Sequence, residues 1–344
     1  MDIIKPSQMV PSRDLALSFS ILLVLCAVGA PLLAQDVRFF RIGTGATSGT
    51  YFSIGGLIAN VISNPPGSRA CDRGGSCGVP GLIAVAQSTQ GSVENVKAII
   101  DGQLESALAQ ADVAYWAYHG TGMFRNQGPS RGLRAIAHLL LSPVHIVVRA
   151  DSDLFEIADL RGRRVSLGET GSGSLNIAQT VLAAHGIGEG DFEPAYHEPG
   201  PASDLLQNGE IDAFIVVGGV PVVAVADLAQ RLPIRLLPMS ETTAEELVAF
   251  NPFLTNGTIQ SGIYQGVGQT RSIGISTQWI VGAQADAEFV FELTEALWHE
   301  QNRPLFDSGP PEARAIDRKQ ALKGIAIPLH PGAARYYKEQ GIQR

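Results

Sequence analysis

Residues 37–63 read VRFFRIGTGATSGTYFSIGGLIANVIS, and the order of residue types there decides the fold class. An apolar run with β-forming residues (37–42) predicts a strand. A Gly/Thr/Ser loop (43–49) follows, and residues 51–63 predict a helix. The same grammar returns at RRVSLG (163–168), ETGSGS (169–174) and LNIAQTVLAAH (175–185), a strand, a loop and a helix stopped by Gly186. Each unit continues alike. In the first, LIAVAQS (82–88) predicts a strand. Val93, Val96 and Ile100 share one face of a helix over 92–100, and LESALAQ (104–110) is a third strand. In the second, 201–207 is a short helix and EIDAFIVV (210–217) a strand. DGQLESA (101–107) and NGEIDAF (208–214) mark the same helix end, breaker and strand start in both. Strands alternating with helices predict an α/β protein with a parallel-type sheet in each unit.

The first unit is longer by about the length of the polar Gly/Pro stretch 64–81, which reads as an insertion. HIVVRA (145–150) is an apolar strand between the units and a candidate crossing segment. The strand-like SIGISTQWIVG (272–282), within 255–281, can carry the chain back to the first. Residues 288–301 and 312–344 read as helices joined by Pro/Gly turns. The expected organisation is a leader over 1–34, one lobe from 35–145 plus about 260–344, and a second over about 146–259. Two lobes joined by more than one crossover leave a cleft and a hinge between them.

Composition narrows the function classes. The 344 residues are 45% hydrophobic and 17% charged, with a net charge of −8, which excludes a mainly disordered chain. Acidic balance with no basic cluster argues against nucleic acid as a partner. Residues 15–30 (LALSFSILLVLCAVGA) follow Lys5 and Arg13 and precede Leu32-Leu33-Ala34, the pattern of a secretory signal peptide. As a membrane anchor the run falls short of the ~20 residues a span needs. Leu25 stands where a lipidation site at Cys26 would need a small residue. Removing the leader takes away Asp2, Lys5, Arg13 and Asp14 and leaves the charge unchanged. It also leaves Cys71 and Cys77, which in a Gly-rich loop of an exported chain predict a local disulfide that pins the loop.

The two Gly/Ser loops carry the strongest chemical signal. Each follows a strand and opens a helix, whose free N–H groups and partial positive charge attract anions. Gly45, Gly171 and Gly173 let the backbone approach a ligand, and Thr47, Ser48, Ser172 and Ser174 add hydroxyls. Tyr51 follows the first loop, and its hydroxyl is within reach of a carboxylate. Gln110 and Asp112 end the third strand, at the edge where open α/β sheets bind ligands; Asp112 can also cap the next helix. Gly218 stands at the equivalent strand end of the second unit, and Tyr115, Trp116 and Tyr118 are candidate cleft walls or core. Neither loop contains Arg or Lys, leaving Arg125 and Arg149 as candidate counter-charges. G-x-G-x-x-x-G at Gly43, Gly45 and Gly49 is one residue too long for a dinucleotide fingerprint, and no G-K-[ST] occurs. The seven histidines form no zinc motif. G-x-S-x-G at Gly74, Ser76 and Gly78 lacks the preceding strand of a nucleophile elbow. No cofactor, metal or catalytic constellation is expected.

RIGTGATSGTYFSIGG, STQGSVENVKAIIDGQLESALAQADVAYWAY, DLRGRRVSLGETGSGS, NGEIDAFIVVGG and IPLHPGAARYYKEQG together resemble the TAXI family, the TRAP-associated extracytoplasmic solute-binding proteins, over about 38–341. The resemblance implies a type II periplasmic-binding-protein fold and a non-enzymatic periplasmic receptor. Such a receptor hands a glutamate-like or dicarboxylate-like solute to the membrane subunits of a TRAP transporter. It carries the ligand-facing segments onto Gly45–Tyr51, Gln110–Asp112 and Gly171–Ser174. The stretch bearing Cys71 and Cys77 departs from shorter members. Two other readings are a subunit presenting solute to a membrane sensor kinase, and an exported hydrolase using Ser76.

Overall fold

The computed structural model describes residues 37–343; the expected signal peptide over 1–34 lies outside the described residues. The chain opens with β1 (Arg38–Gly43) and α1 (Thr50–Ile62). A two-stranded ladder of β2 (Ser63–Asn64) and β3 (Val79–Pro80) clips the base of the insertion. β4 (Leu82–Gln87), α2 (Ser92–Ile100), β5 (Ser106–Gln110), α3 (Ala111–His119) and the 17-residue β6 (Leu133–Arg149) follow. The second unit holds β7 (Arg164–Ser166), α4 (Gly173–Ala184), β8 (Glu193–Ala195), α5 (Pro199–Asn208), β9 (Ala213–Val217) and α6 (Val223–Arg231). β10 (Ile234–Leu236), α7 (Glu241–Phe250), β11 (Leu254–Ile259) and β12 (Thr270–Gly282) lead to the terminal helices α8 (Ala287–Trp298), α9 (Arg303–Ser308) and α10 (Pro331–Glu339).

Among the described residues the main sheet has ten strands, with a path ordered β4-β1-β5-β12-β6-β9-β7-β8. β1 runs parallel to β4 and β5, and β7 parallel to β8 and β9, as the alternating sequence predicts. The two parallel wings are not separate sheets. β12 and β6 run antiparallel between them and belong to both. β6 pairs with β12 from Leu133 to Pro143 and with β9 from Val144 to Val148. β12 pairs with β11 from Thr270 to Ile275 and with β5 from Thr277 to Val281. Both strands change partners at the middle of the molecule, so the wings meet at two adjacent strands and form the two-lobed α/β fold.

Apolar burial, worth ~25 cal/mol per Å² of surface removed from water, is distributed along both wings. Phe40, Ile42, Ile54 and Ile58 pack with Trp279, Leu293 and Tyr337 in the first wing. Val165, Ile177, Val181 and Ile215 form a core in the second, and Phe214, Val216 and Leu228 another. Tyr264 and Val267, in the stretch expected to have returned to the first lobe, pack in that last core. The expected disulfide joins Cys71 to Cys77. Among the described residues, no helix is long and apolar enough to cross a membrane.

Candidate functional site

Parallel strands followed by helices leave their carboxyl ends, and the helix N-termini after them, on one edge of a sheet. Here the edges of the two wings face one another. The loop after β1, the turn after β4 and the end of β5 come from the first wing; the loop after β7 and the end of β9 come from the second. Together they enclose a cavity of about 50 Å³ lined by Gly45, Tyr51, Gln90, Ser92 and Gln110 on one side, and by Glu169, Ser172, Gly173, Ser174 and Gly218 on the other. Small-molecule sites commonly reach ~300 Å³ or more, so the wings stand here in a closed arrangement.

Direct bonds hold that closure. Ser48 Oγ accepts from Gly200 N–H at 3.0 Å, and the Ser48 carbonyl accepts from Ala224 N–H at 3.2 Å. Thr50 Oγ1 donates to the Gly219 carbonyl at 3.1 Å. The Gly171 carbonyl accepts from the Val93 and Glu94 N–H groups at the start of α2. Asn176 Nδ2 donates to Asp112 Oδ2 at 3.2 Å. The second loop thus sits over the α2 N-terminus rather than directly opposite the first loop, which rests on the segments that open α5 and α6. Close approach requires the glycines: a Cβ on Gly173 would lie 2.3 Å from Gln110 Oε1, and Gly171 adopts φ +94°.

One part of the cavity wall presents an acceptor and an acid. Gln110 Oε1 is buried without a hydrogen-bond partner. Glu169 lines the cavity half-buried; burial first, and Glu198 beside it, raise its carboxyl to about 7. Tyr51 Oη lies 3.4 Å from Ser92 Oγ and accepts from Thr277 Oγ1 at 3.5 Å, and burial pushes its hydroxyl up to about 12. It is a neutral phenol at physiological pH. Hydroxyls also hold the walls in place: Ser92 Oγ accepts from Gln110 N–H, Ser172 Oγ from Leu175 N–H as the cap of α4, and Ser174 Oγ from Val217 N–H. No Arg or Lys is among the described residues lining the cavity.

Of the residues expected at the site, Gly45, Tyr51, Gln110, Ser172, Gly173, Ser174 and Gly218 line the cavity. Thr47 is exposed at the loop tip, Ser48 makes the wing-to-wing bonds, and Gly171 lies on the outer side of its loop. Asp112 is not a helix cap. Gln110 is the N-cap residue of α3, and Asp112 is the second residue of its first turn, 2% exposed, accepting from Val113 N–H. Burial raises its carboxyl to about 7. Arg149 is away from the cavity and pairs with Asp151 at 2.8 Å, and Arg125 is exposed. Tyr115 packs on Phe253, and Tyr118 lies beneath Arg131. Ser76 Oγ donates to the Ser63 carbonyl and accepts from Gly78 N–H, which pins the insertion. Glu169, Gln90 and Ser92 were missed. Glu169 stands inside the ETGSGS loop, where an acid among small residues was the available signal.

Several solved structures are similar to the chain. A protein of Bordetella bronchiseptica RB50 is 16% identical, with a TM-score of 0.50 and coverage of 89% of each chain. The alkanesulfonate-binding protein SsuA of Xanthomonas axonopodis pv. citri, bound to MOPS, is 19% identical over 89% of this chain and 85% of its own, with a TM-score of 0.48. A putative L-cystine ABC transporter protein of Listeria monocytogenes is 12% identical over 82% of this chain and 99% of its own, at 0.47. At 16% identity the likeness to the Bordetella protein is one of fold alone. In sequence, the family model described as NMT1-like matches residues 42–341. With nearly the whole two-winged body inside that match, the chain belongs to the NMT1-like family.

Proposed function

We propose that the protein is an exported, non-enzymatic receptor that closes its two wings around a small amino acid, glutamate-like in size, and presents it to a membrane transporter. The observation that carries this reading is the pairing of donor-rich and acceptor-rich surfaces in one cavity. The loop after β7 places Ser172 at the N-cap of α4, whose first N–H groups suit a carboxylate. Gln110 Oε1 has no protein donor, and together with the Glu169 carboxylate beside the same cavity it suits an ammonium group. A dicarboxylate would satisfy the first surface but place a second negative charge beside Glu169, whose ionisation burial already disfavours. Ligand favours the closed form because only that form brings both walls together. The sequence resemblance to TAXI proteins favours a TRAP-type transporter as partner and the periplasm as compartment.

Calorimetry on ligand-stripped mature protein tests this, with a panel of amino acids and C4–C6 dicarboxylates. Saturable binding of an amino acid, weakened ~10-fold or more by Glu169→Gln, is expected. Tighter binding of a dicarboxylate than of every amino acid would reject the ammonium assignment. Uptake in proteoliposomes holding TRAP membrane subunits is expected to need an ion gradient and no ATP.

A further inference from the structure

Another concentration of reactive side chains lies outside the cavity lining, where the insertion touches the segment after α8. Cys71 and Cys77, both half-exposed, face His299 and Gln301. His299 Nε2 lies 3.9 Å from Cys71 Sγ, and Gln301 Oε1 lies 3.2 Å from Cys71 Sγ and 3.3 Å from Cys77 Sγ.

The two sulfurs are not equivalent. His299 Nδ1 accepts from Gln301 N–H at 3.2 Å, which puts the proton of the neutral ring on Nε2. An N–H is therefore aimed at Cys71. Cys77 Sγ instead has the Gly75 carbonyl oxygen 3.9 Å away, a group that disfavours negative charge. The same tautomer argues against a metal in the reduced form. The three donor atoms lie within 4.8 Å of one another, but a metal on Nε2 would turn the Nδ1 proton against the Gln301 N–H.

We propose that the Cys71–Cys77 bridge is a directional thiol–disulfide exchange site for external thiols, with Cys77 the sulfur attacked and Cys71 the leaving thiolate. A thiolate attacks Cys77 Sγ and forms a new S–S bond to it. The electron pair of the old bond leaves on Cys71 Sγ, where the His299 Nε2–H stabilises it by hydrogen bonding without giving up its proton. A second thiol then attacks the external sulfur of the mixed disulfide. It releases Cys77 as a thiolate, and the two protons lost by the external thiols on ionising return through water to Cys77 and Cys71. Two thiols become one disulfide, and the protein bridge becomes two thiols. The loop stays anchored meanwhile by Ser76 on Ser63 and by the β2–β3 ladder.

The test uses the folded mature protein, reduced glutathione as the thiol, rapid acid quench, alkylation of free thiols and peptide mass spectrometry. Glutathione on Cys77 with alkylated Cys71 is the expected first adduct. Glutathione on Cys71, equal labelling of both, or a bridge that stays intact until the protein is unfolded would each overturn the proposal. His299→Asn keeps an acceptor for the Gln301 N–H but withdraws the donor from Cys71. It is expected to slow bridge opening ~3-fold and to erase the positional bias at an unchanged melting temperature. An unchanged rate and bias in that variant would also overturn the assignment.

Discussion

Asn176 Nδ2 donates to Asp112 Oδ2 at 3.2 Å, and the bond joins the first turn of α4 in one wing to the first turn of α3 in the other. An amide from one half of the molecule is thus the partner of a carboxyl that the other half has almost wholly removed from water. Tyr115 on α3 also meets Phe253 across the same boundary, ring centroids 4.8 Å apart. Helix α3 is therefore held against the second wing by one polar and one aromatic contact.

The first prediction concerns pH. Burial raises the Asp112 carboxyl from 3.8 to about 7, and that of Glu169 from 4.5 to about 7. Below pH ~3 both are protonated in every state and cost nothing. As pH rises from ~4 to ~7 the unfolded or open chain releases these protons while the closed form retains them, so closed-state stability falls across that window and levels above it. One pKa unit is ~1.4 kcal/mol, so Asp112 contributes at most ~4 kcal/mol to the slope. Urea denaturation from pH 4 to 8 should show the decline, and Asp112→Asn should flatten it.

Ser48 supplies a hydroxyl acceptor for Gly200 N–H. Ser48→Ala leaves that donor unpaired in the closed form only, at a cost of about 1 kcal/mol. Ligand affinity should fall ~5-fold with the melting temperature little changed. An unaltered dissociation constant would show that this bond does not hold the closure.

A methyl group at position 173 would stand 2.3 Å from Gln110 Oε1. The Gln110 amide has little room to turn, being 3% exposed. Gly173→Ala should therefore hold the wings apart. It should lower affinity ~10-fold or more and increase the radius of gyration in small-angle scattering with ligand present. Wild-type closure by this variant would contradict the packing.

Tyr264 Oη accepts from Val222 N–H at 2.8 Å and lies 2.8 Å from His145 Nε2, while His145 Nδ1 lies 3.0 Å from the Pro143 carbonyl. The pattern assigns Nδ1–H to His145 and makes Tyr264 the donor to Nε2. Burial holds that imidazole down at about 4, neutral at physiological pH. Tyr264→Phe orphans one buried donor and one buried acceptor and should cost ~2–4 kcal/mol by urea denaturation. Since Val222 lines the cavity, affinity should fall as well.

Local grammar was enough to read the strand–loop–helix units, because alternation of apolar runs, glycines and helix-period residues is a property of adjacent positions. The position of β12 between β5 and β6 was not readable, since pairing across more than a hundred residues leaves no local mark. β6 was read only from residue 145 because Ser142-Pro143 interrupts the apolar pattern, although strand pairing continues through both residues. Asp112 looked like a helix cap because Asp is a common one; the helix starts two residues earlier than that reading needs. Glu169 was passed over because a charged residue in a turn ordinarily faces water. Here Gly168, at φ +98°, turns the chain so that the following residue faces the opposite wing.

The place of β12 also constrains how the molecule is made. Its residues 270–282 insert between a strand ending at Gln110 and one beginning at Leu133. The amino-terminal wing therefore lacks its inner neighbour until nearly the whole polypeptide has emerged. No early fragment can complete the sheet before then, so the two wings close into one body only at the end of synthesis.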